Sequence, residues 1–302
     1  MTTHRYLTLF FLLAASITTA QAQPAIALNT ITTSTEPGAT KKAPLRTKAA
    51  VESPFYIKIY GFYGLLTPGS QVNSSTSSSS TGAVTSFKTS AKGLGAGPRA
   101  GIGIGTIVSD FINIGIDADM LFGPTLTTDN IYQGSNYLYT STTTTTFRVL
   151  SITPNITFKA LSRPSYYIYN RLGIVGGIVL DYKTVQTSLN KPNVGVSTAN
   201  VYTSDFTKNS LSIGYQAALG IQFRLSQSLR GFAEVVAYNQ SFQPKEVTNT
   251  NVSTSSGKVT TTTTVTQYKS EGDYTNNSPY QSAIYNVAMN SVGVGVGLLF
   301  RF

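Results

Sequence analysis

"GLGAGPRAGIGIGTIVSDFINIGIDADML", residues 93–121, alternates almost without interruption. Leu94, Ala96, Ala100, Ile102, Ile104 and Val108 share one parity; Gly93, Gly95, Gly97, Arg99, Gly101, Gly103 and Gly105 share the other. After the short "SDF" at 109–111, Ile112, Ile114, Ile116, Ala118 and Met120 oppose Asn113, Gly115, Asp117 and Asp119. A period of two marks a β-strand, and two such runs with a short join make an antiparallel hairpin. Two architectures share this pattern. A soluble sandwich buries the apolar face and wets the polar one. A transmembrane barrel turns the apolar face to lipid and the polar face inward.

The same alternation recurs along the chain. It predicts strands over 54–66, 93–108, 111–123, 145–160, 166–182, 209–225, 229–243 and 290–302. Joins within a pair are short: "SDF", "LSRPS" at 161–165 and "SQS" at 226–228. Joins between pairs are long and rich in Ser, Thr and Asn, and read as loops. Short turns on one side and long loops on the other, with an even strand count, suit a membrane-spanning antiparallel barrel. The Thr runs at 142–146 and 260–264 are β-compatible and extend the hairpins; a further pair of strands hidden there would raise eight to ten.

Three features select the barrel over the sandwich. The polar face is rich in glycine, which suits a crowded, narrow interior and would only weaken a solvent-facing strand. Aromatic residues cluster near strand ends, predicting two interfacial girdles. Phe55, Tyr56, Phe158, Tyr166, Tyr167, Phe223, Phe300 and Phe302 fall on the short-turn side, and Phe62, Tyr63, Phe122, Phe147, Tyr182 and Tyr238 on the other. The N-terminus carries Arg5, the apolar "LTLFFLLAASI" and small residues at Ala20 and Ala22, the pattern of a secretory signal peptide cleaved after Ala22. The expectation is an all-β chain: a signal peptide at 1–22, a Thr-, Pro- and Lys-rich flexible tail at 23–52, and an antiparallel up-and-down transmembrane β-barrel at 53–302.

The chain ends "SVGVGVGLLFRF", where Val292, Val294, Val296, Leu298, Phe300 and Phe302 alternate with Gly293, Gly295, Gly297 and Arg301. With this ending, residues 53–302 resemble the small outer-membrane β-barrel family of the OmpA/OmpX type. The resemblance implies an outer-membrane location, lipid and lipopolysaccharide as neighbours, and an assembly machinery that reads Leu298, Phe300 and Phe302. The peptidoglycan-binding domain found in part of that family has no counterpart after residue 302, so no cell-wall anchoring is expected.

The inward parity carries charge of both signs: Lys58, Arg99, Asp117, Asp119, Arg171, Arg224, Arg230, Glu234 and Arg301. Buried charge must be paired. Pairing across the 109–111 turn predicts an ion pair of Arg99 with Asp119 or Asp117, and Glu234 calls for Lys58 or Arg171. The expected role is a salt-bridge network filling the interior; a gate in a narrow ion path is the alternative.

The chain has no cysteine, and its single histidine, His4, lies in the signal peptide. That removes a thiol nucleophile, a His general base and a His/Cys metal cluster. No cofactor is expected. Asp117 and Asp119, two residues apart on one strand face, could serve acid/base work or hold a hard cation, but structural pairing with Arg99 accounts for them more simply. "GAGPRA" at 95–100 mimics a dinucleotide fingerprint, yet the alternation runs through it and no helix follows. The net charge of +10 is scattered, with no basic stripe or motif for nucleic acid. The functional expectation is therefore a non-enzymatic outer-membrane barrel with a structural or surface-interaction role. A narrow channel for small solutes and a soluble secreted β-protein are the alternatives.

Overall fold

The computed structural model describes residues 54–68, 73–79, 81, 83–90, 93–163, 165–270 and 280–302. The signal peptide and the 23–52 tail lie outside the described residues. Among the described residues there is no helix, and sixteen strands form one hydrogen-bonded sheet.

Eight strands form a circuit: β1 (Phe55–Leu66), β4 (Gly97–Ile107), β5 (Ile112–Phe122), β7 (Tyr137–Ser162), β8 (Tyr166–Pro192), β10 (Ser212–Arg224), β11 (Leu229–Phe242) and β16 (Ser291–Arg301). Each pairs antiparallel with the next, and β16 returns to pair with β1, Ile57 opposite Phe300 and Tyr63 opposite Val294. Closure leaves no edge along the shared length, so these backbone donors and acceptors are satisfied without water. The β4–β5 turn holds all of Ser109–Phe111, setting Arg99 opposite Leu121 and Asp119 opposite Gly101. Arg99 and Asp119 are thus diagonal neighbours and not opposed.

The other eight strands correct the reading of the long joins as loops. They are β2 (Asn73–Ser78), β3 (Val84–Ser90), β6 (Leu126–Gln133), β9 (Thr198–Asn209), β12 (Pro244–Ser255), β13 (Lys258–Lys269), β14 (Gln281–Ala283) and β15 (Val287–Ala288). The extensions of β7 and β8 carry seven of them, in the order β3-β2-β6-β7 on one side and β8-β9-β12-β13-β14 on the other, and β15 pairs with β11. Neither eight nor ten strands describes the whole sheet. Threonine holds this part together: Thr127 and Thr128 oppose Thr144 and Thr143, and the Thr145 and Thr184 hydroxyls lie 3.2 Å apart. β-Branched residues suit strands even where both faces are wet, so these segments carry no hydrophobic period.

The polarity of the ring is inverted relative to a water-soluble sheet. Its buried face holds Lys58, Arg99, Asp117, Asp119, Arg171, Gln216, Glu234 and Gln240. Its exposed face holds Ile59, Ile102, Ile116, Ile174, Leu219 and Val296, with Ile102 62% and Ile174 68% accessible. The interior glycines are explained by what lies over them. Tyr60 opposes Gly101, Lys58 opposes Gly103, Tyr169 opposes Gly220 and Phe232 opposes Gly297. A Cβ at Gly101 or Gly220 would sit 2.5 Å from the ring of Tyr60 or Tyr169.

The girdle expectation needs correction on both sides. Phe55, Phe158, Tyr166, Phe223, Phe300 and Phe302 are exposed on the outer face, as are Tyr63 and Phe122. Tyr56, Tyr167, Phe62, Phe147 and Tyr238 are buried inside, and Tyr182 packs against Phe147 and Phe206. Of these, Tyr56 lies over Gly105 of the neighbouring strand.

Gly101→Val should displace Tyr60 and overpack the interior, costing roughly 1–3 kcal/mol. Urea unfolding in detergent micelles should show a lowered midpoint; an unchanged midpoint would mean that Tyr60 does not need the space.

Candidate functional site

The chemistry-bearing residues gather in one layer across the ring interior. On β1, Lys58 and Tyr60 share the inward parity; on β5, Asp117 and Asp119 do so. Strand β8 adds Tyr169 and Arg171, β11 adds Glu234 and Tyr238, and β4 adds Arg99.

Lys58 Nζ lies 2.7 Å from Asp117 Oδ2, and Arg171 Nη1 donates to the same oxygen. Arg171 turns its other terminal nitrogen, Nη2, to Glu234 Oε1. The Tyr169 hydroxyl donates to Glu234 Oε2 at 2.8 Å. A second cluster forms around Asp119. Arg99 Nη1 lies 2.9 Å from its Oδ1, while the Tyr60 and Tyr238 hydroxyls each lie 3.3 Å from its Oδ2. The Arg99 guanidinium also stands 4.2 Å from the centre of the Tyr238 ring. Three cations thus meet three carboxylates, and the layer is neutral. Each side chain in it is at most 8% accessible. At such burial a lone charge is strongly unfavourable, and removal of one partner costs about 3–5 kcal/mol.

The geometry bears on each expected residue. Lys58, Arg99, Asp117, Asp119, Arg171 and Glu234 lie in the layer. Of the alternatives open in the sequence, Arg99 takes Asp119, and Glu234 takes Arg171. Asp117 goes to Lys58 and Arg171, and not to Arg99. Arg224 is a correction: it is exposed beside the β10–β11 turn, where its Nε donates to the Ser226 carbonyl at 3.3 Å. At the last residue of its strand it has passed the end of the enclosed interior. Arg230 and Arg301 are half-buried. They line a separate cavity of about 430 Å³ at the short-turn end, with Tyr56, Asn113, Lys159 and Gln222. Leu298 is half-buried in β16, and Phe300 and Phe302 are exposed on its outer face.

The sequence reading missed Tyr60, Tyr169 and Lys159, and placed Tyr238 in a girdle. Tyr60 has the parity of Lys58, and Tyr238 that of Glu234; this signal could have found them. Asp119 is held by Arg99 and the Tyr60 and Tyr238 phenols, while Asp117 binds both of its cations through Oδ2 and its Oδ1 is buried without a hydrogen-bond partner. Among the described residues no other group of three or more His, Cys, Asp or Glu side chains is arranged to hold a metal.

On the long-join side of the charged layer two apolar clusters pack beside buried Ser212, Gln240 and Ser291. Phe62, Val175, Ala218, Val236 and Tyr238 pack together. Leu121, Phe147, Val149, Phe242, Val287 and Met289 form a second cluster. Phe147 stacks on Phe242 with centroids 5.7 Å apart. The Met289 amide donates to the Gln240 carbonyl, holding the segment before β16 against this cluster.

No protein-family model matches the chain, and no curated protein does. Among solved structures it is similar to the outer membrane protein OprG from Pseudomonas aeruginosa, at 12% identity and a TM-score of 0.38, over 83% of this chain and 97% of that one. It is also similar to the outer membrane protease OmpT from Escherichia coli, at 9% identity and a TM-score of 0.24, over 83% and 94%. A third is the Ralstonia pickettii toluene transporter TbuX, at 8% identity and a TM-score of 0.19, over 82% and 89%.

Asp117→Asn would leave Lys58 and Arg171 without their shared counter-charge. Its unfolding free energy should fall by roughly 3–5 kcal/mol, whereas Arg224→Ala should stay within about 0.5 kcal/mol of the parent. Equal effects of the two substitutions on unfolding in micelles would contradict this assignment.

Proposed function

We propose that the chain is a non-enzymatic outer-membrane β-barrel that crosses the bilayer with the eight strands of the closed ring and acts through the sheet it carries outside. The observation that carries this reading is the inverted polarity of a closed circuit: an apolar outer face around a charged, hydrogen-bonded interior. In water, contiguous apolar patches beyond a few hundred Å² are rare on a monomer, and the isoleucines, leucines and valines of the outer face would be left unburied. In lipid the same face is the favourable one, and edge closure becomes a requirement. This argues against the soluble secreted reading. In the proposed arrangement residues 1–22 direct export and both ends of the barrel face the periplasm. Lipid and lipopolysaccharide surround the outer face.

Support for a sealed interior comes from the two apolar clusters stacked above the neutral charged layer. An eight-strand interior is just wide enough for side chains to fill. A gated narrow path is the second reading. The cavity of about 430 Å³ at the short-turn end favours it, because side chains do not fill that part of the interior.

The purified protein in a planar bilayer should give no stable unitary conductance. Regular conductance steps that change in Arg99→Ala would instead establish the gated path. Cell fractionation should return the protein in the outer-membrane pellet, with gel mobility that changes on boiling; recovery in the aqueous periplasm would end the barrel proposal. The proposed assembly role of Leu298, Phe300 and Phe302 makes a separate demand. Deleting Phe302 should lower the amount inserted more than it lowers the urea midpoint of the protein that does insert. Normal outer-membrane levels of the deletion variant would refute that role.

A further inference from the structure

Strand β13 reads KVTTTTTVTQYK, and its first part is a palindrome: Val259 and Val265 flank five threonines centred on Thr262. One edge of β13 pairs with β12, Ser255 opposite Lys258 and Glu246 opposite Gln267. The other edge meets β14 only at Gln267–Lys269. Among the described residues, 258–266 have no neighbour on that side. Residues 258–263 and Val265 are exposed, with Val259 61% and Val265 43% accessible. Natural edge strands are usually blunted by charge, proline or a bulge. Between Val259 and Val265 this edge has none of them.

The hydrogen-bonding parity of that edge is known from two sources. The β12–β13 turn is the two-residue Ser256–Gly257, both at positive φ. Such a hairpin makes the flanking residues 255 and 258 a hydrogen-bonded pair, so even-numbered residues of β13 bond to β12. The odd-numbered residues then bond outward. Consistently, the Gln267 amide donates to Tyr280 at 2.8 Å, and the Lys269 carbonyl accepts from Ile284 at 3.0 Å. The free backbone groups therefore belong to Val259, Thr261, Thr263 and Val265.

We propose that this edge is a homotypic adhesion site, in which β13 of two copies pair antiparallel about Thr262. In that register Val259 meets the second copy's Val265, and Thr261 meets its Thr263. Every residue with outward backbone groups then opposes another of the same kind, as antiparallel hydrogen-bonded pairs require. Thr262 faces its own counterpart on the two-fold axis, so the contact is self-complementary. A symmetric parallel pairing is excluded, because the outward groups of identical residues would meet at one height.

Direction follows from topology. The turn at Ser256–Gly257 is the end of β12–β13 farthest along the chain from the ring, and Gln267 lies opposite Glu246 near the ring strands. Antiparallel pairing puts the two rings at opposite ends of the joined sheet. Two rings in one membrane lie at the same end, so the contact bridges two facing membranes. This last step rests on the proposed membrane location; the edge pairing does not.

The chain has no cysteine, so one introduced thiol reports the register. In the proposed pair, residue 262 lies about 4.5 Å from its counterpart between Cα atoms, within disulfide range. Residue 260 lies opposite residue 264 of the second copy, and about 13 Å along the strand from its own counterpart. Full-length T262C carrying two different tags is reconstituted into two vesicle populations, and insertion is verified by heat-modifiable mobility. On mixing and mild oxidation, T262C should give mixed-tag dimers at least tenfold more than T260C alone, and T260C mixed with T264C should recover them. Equal yields from inserted T262C and T260C would overturn the proposal. The same comparison in detergent micelles reads the edge pairing independently of insertion, and equal yields there would overturn it equally. T262C dimers in micelles with no mixed-tag dimers between loaded vesicles would overturn the bridging of two membranes. Failure to insert would count against the membrane reading alone.

Discussion

The return of β16 onto β1 is the contact on which the rest of the structure depends. It removes the last open edge from eight antiparallel strands and separates two environments that a flat sheet would leave in contact. Inside, polar side chains must find each other, because little else is there to satisfy them. Outside, no backbone group needs a partner, so the surface can be made of isoleucine, valine and leucine. The inverted polarity is a consequence of closure.

Closure also sets the problem that the interior solves. A narrow ring has room for about one layer of large side chains at each height, and the glycines decide where that room lies. Tyr60 lies over Gly101, Lys58 over Gly103 and Tyr169 over Gly220. These placements bring Lys58, Arg171 and the carboxylates of Asp117 and Glu234 to one level, where charges from four strands cancel. Asp117 is central, since it holds two cations and joins β5 to β1 and β8. The phenols of Tyr60 and Tyr238 bond Asp119 and that of Tyr169 bonds Glu234, and the apolar rings above close the space.

The part of the chain beyond the ring follows a different logic. Apart from a few buried side chains such as Val247 and Val287, it is held by ladders of backbone bonds and threonine contacts. The uncovered stretch of β13 stands out because Val259 and Val265 are exposed there beside unblunted backbone groups. Its palindrome gives that edge a natural match in a second copy.

Much of this was legible in the chain. The period of two along 93–121 and 291–302 gave the strands, and parity gave the two faces, including the inward positions of Lys58, Arg99, Asp117, Asp119, Arg171 and Glu234. Where one face is apolar and the other is not, alternation survives in one dimension. The threonine-rich strands were hidden because both of their faces are wet and no alternation results. Phe62, Phe147 and Tyr238 were misplaced because an aromatic ring fits either face, and their cross-strand partners, Arg99, Tyr182 and Gln216 among them, follow only from register. The ion-pair partners were decided by the tertiary structure alone. Lys58 and Asp117 are 59 residues apart, and Arg171 and Glu234 are 63. Which charges share a level depends on the register of every strand around the ring, and register is a property of pairs of strands that no single strand contains.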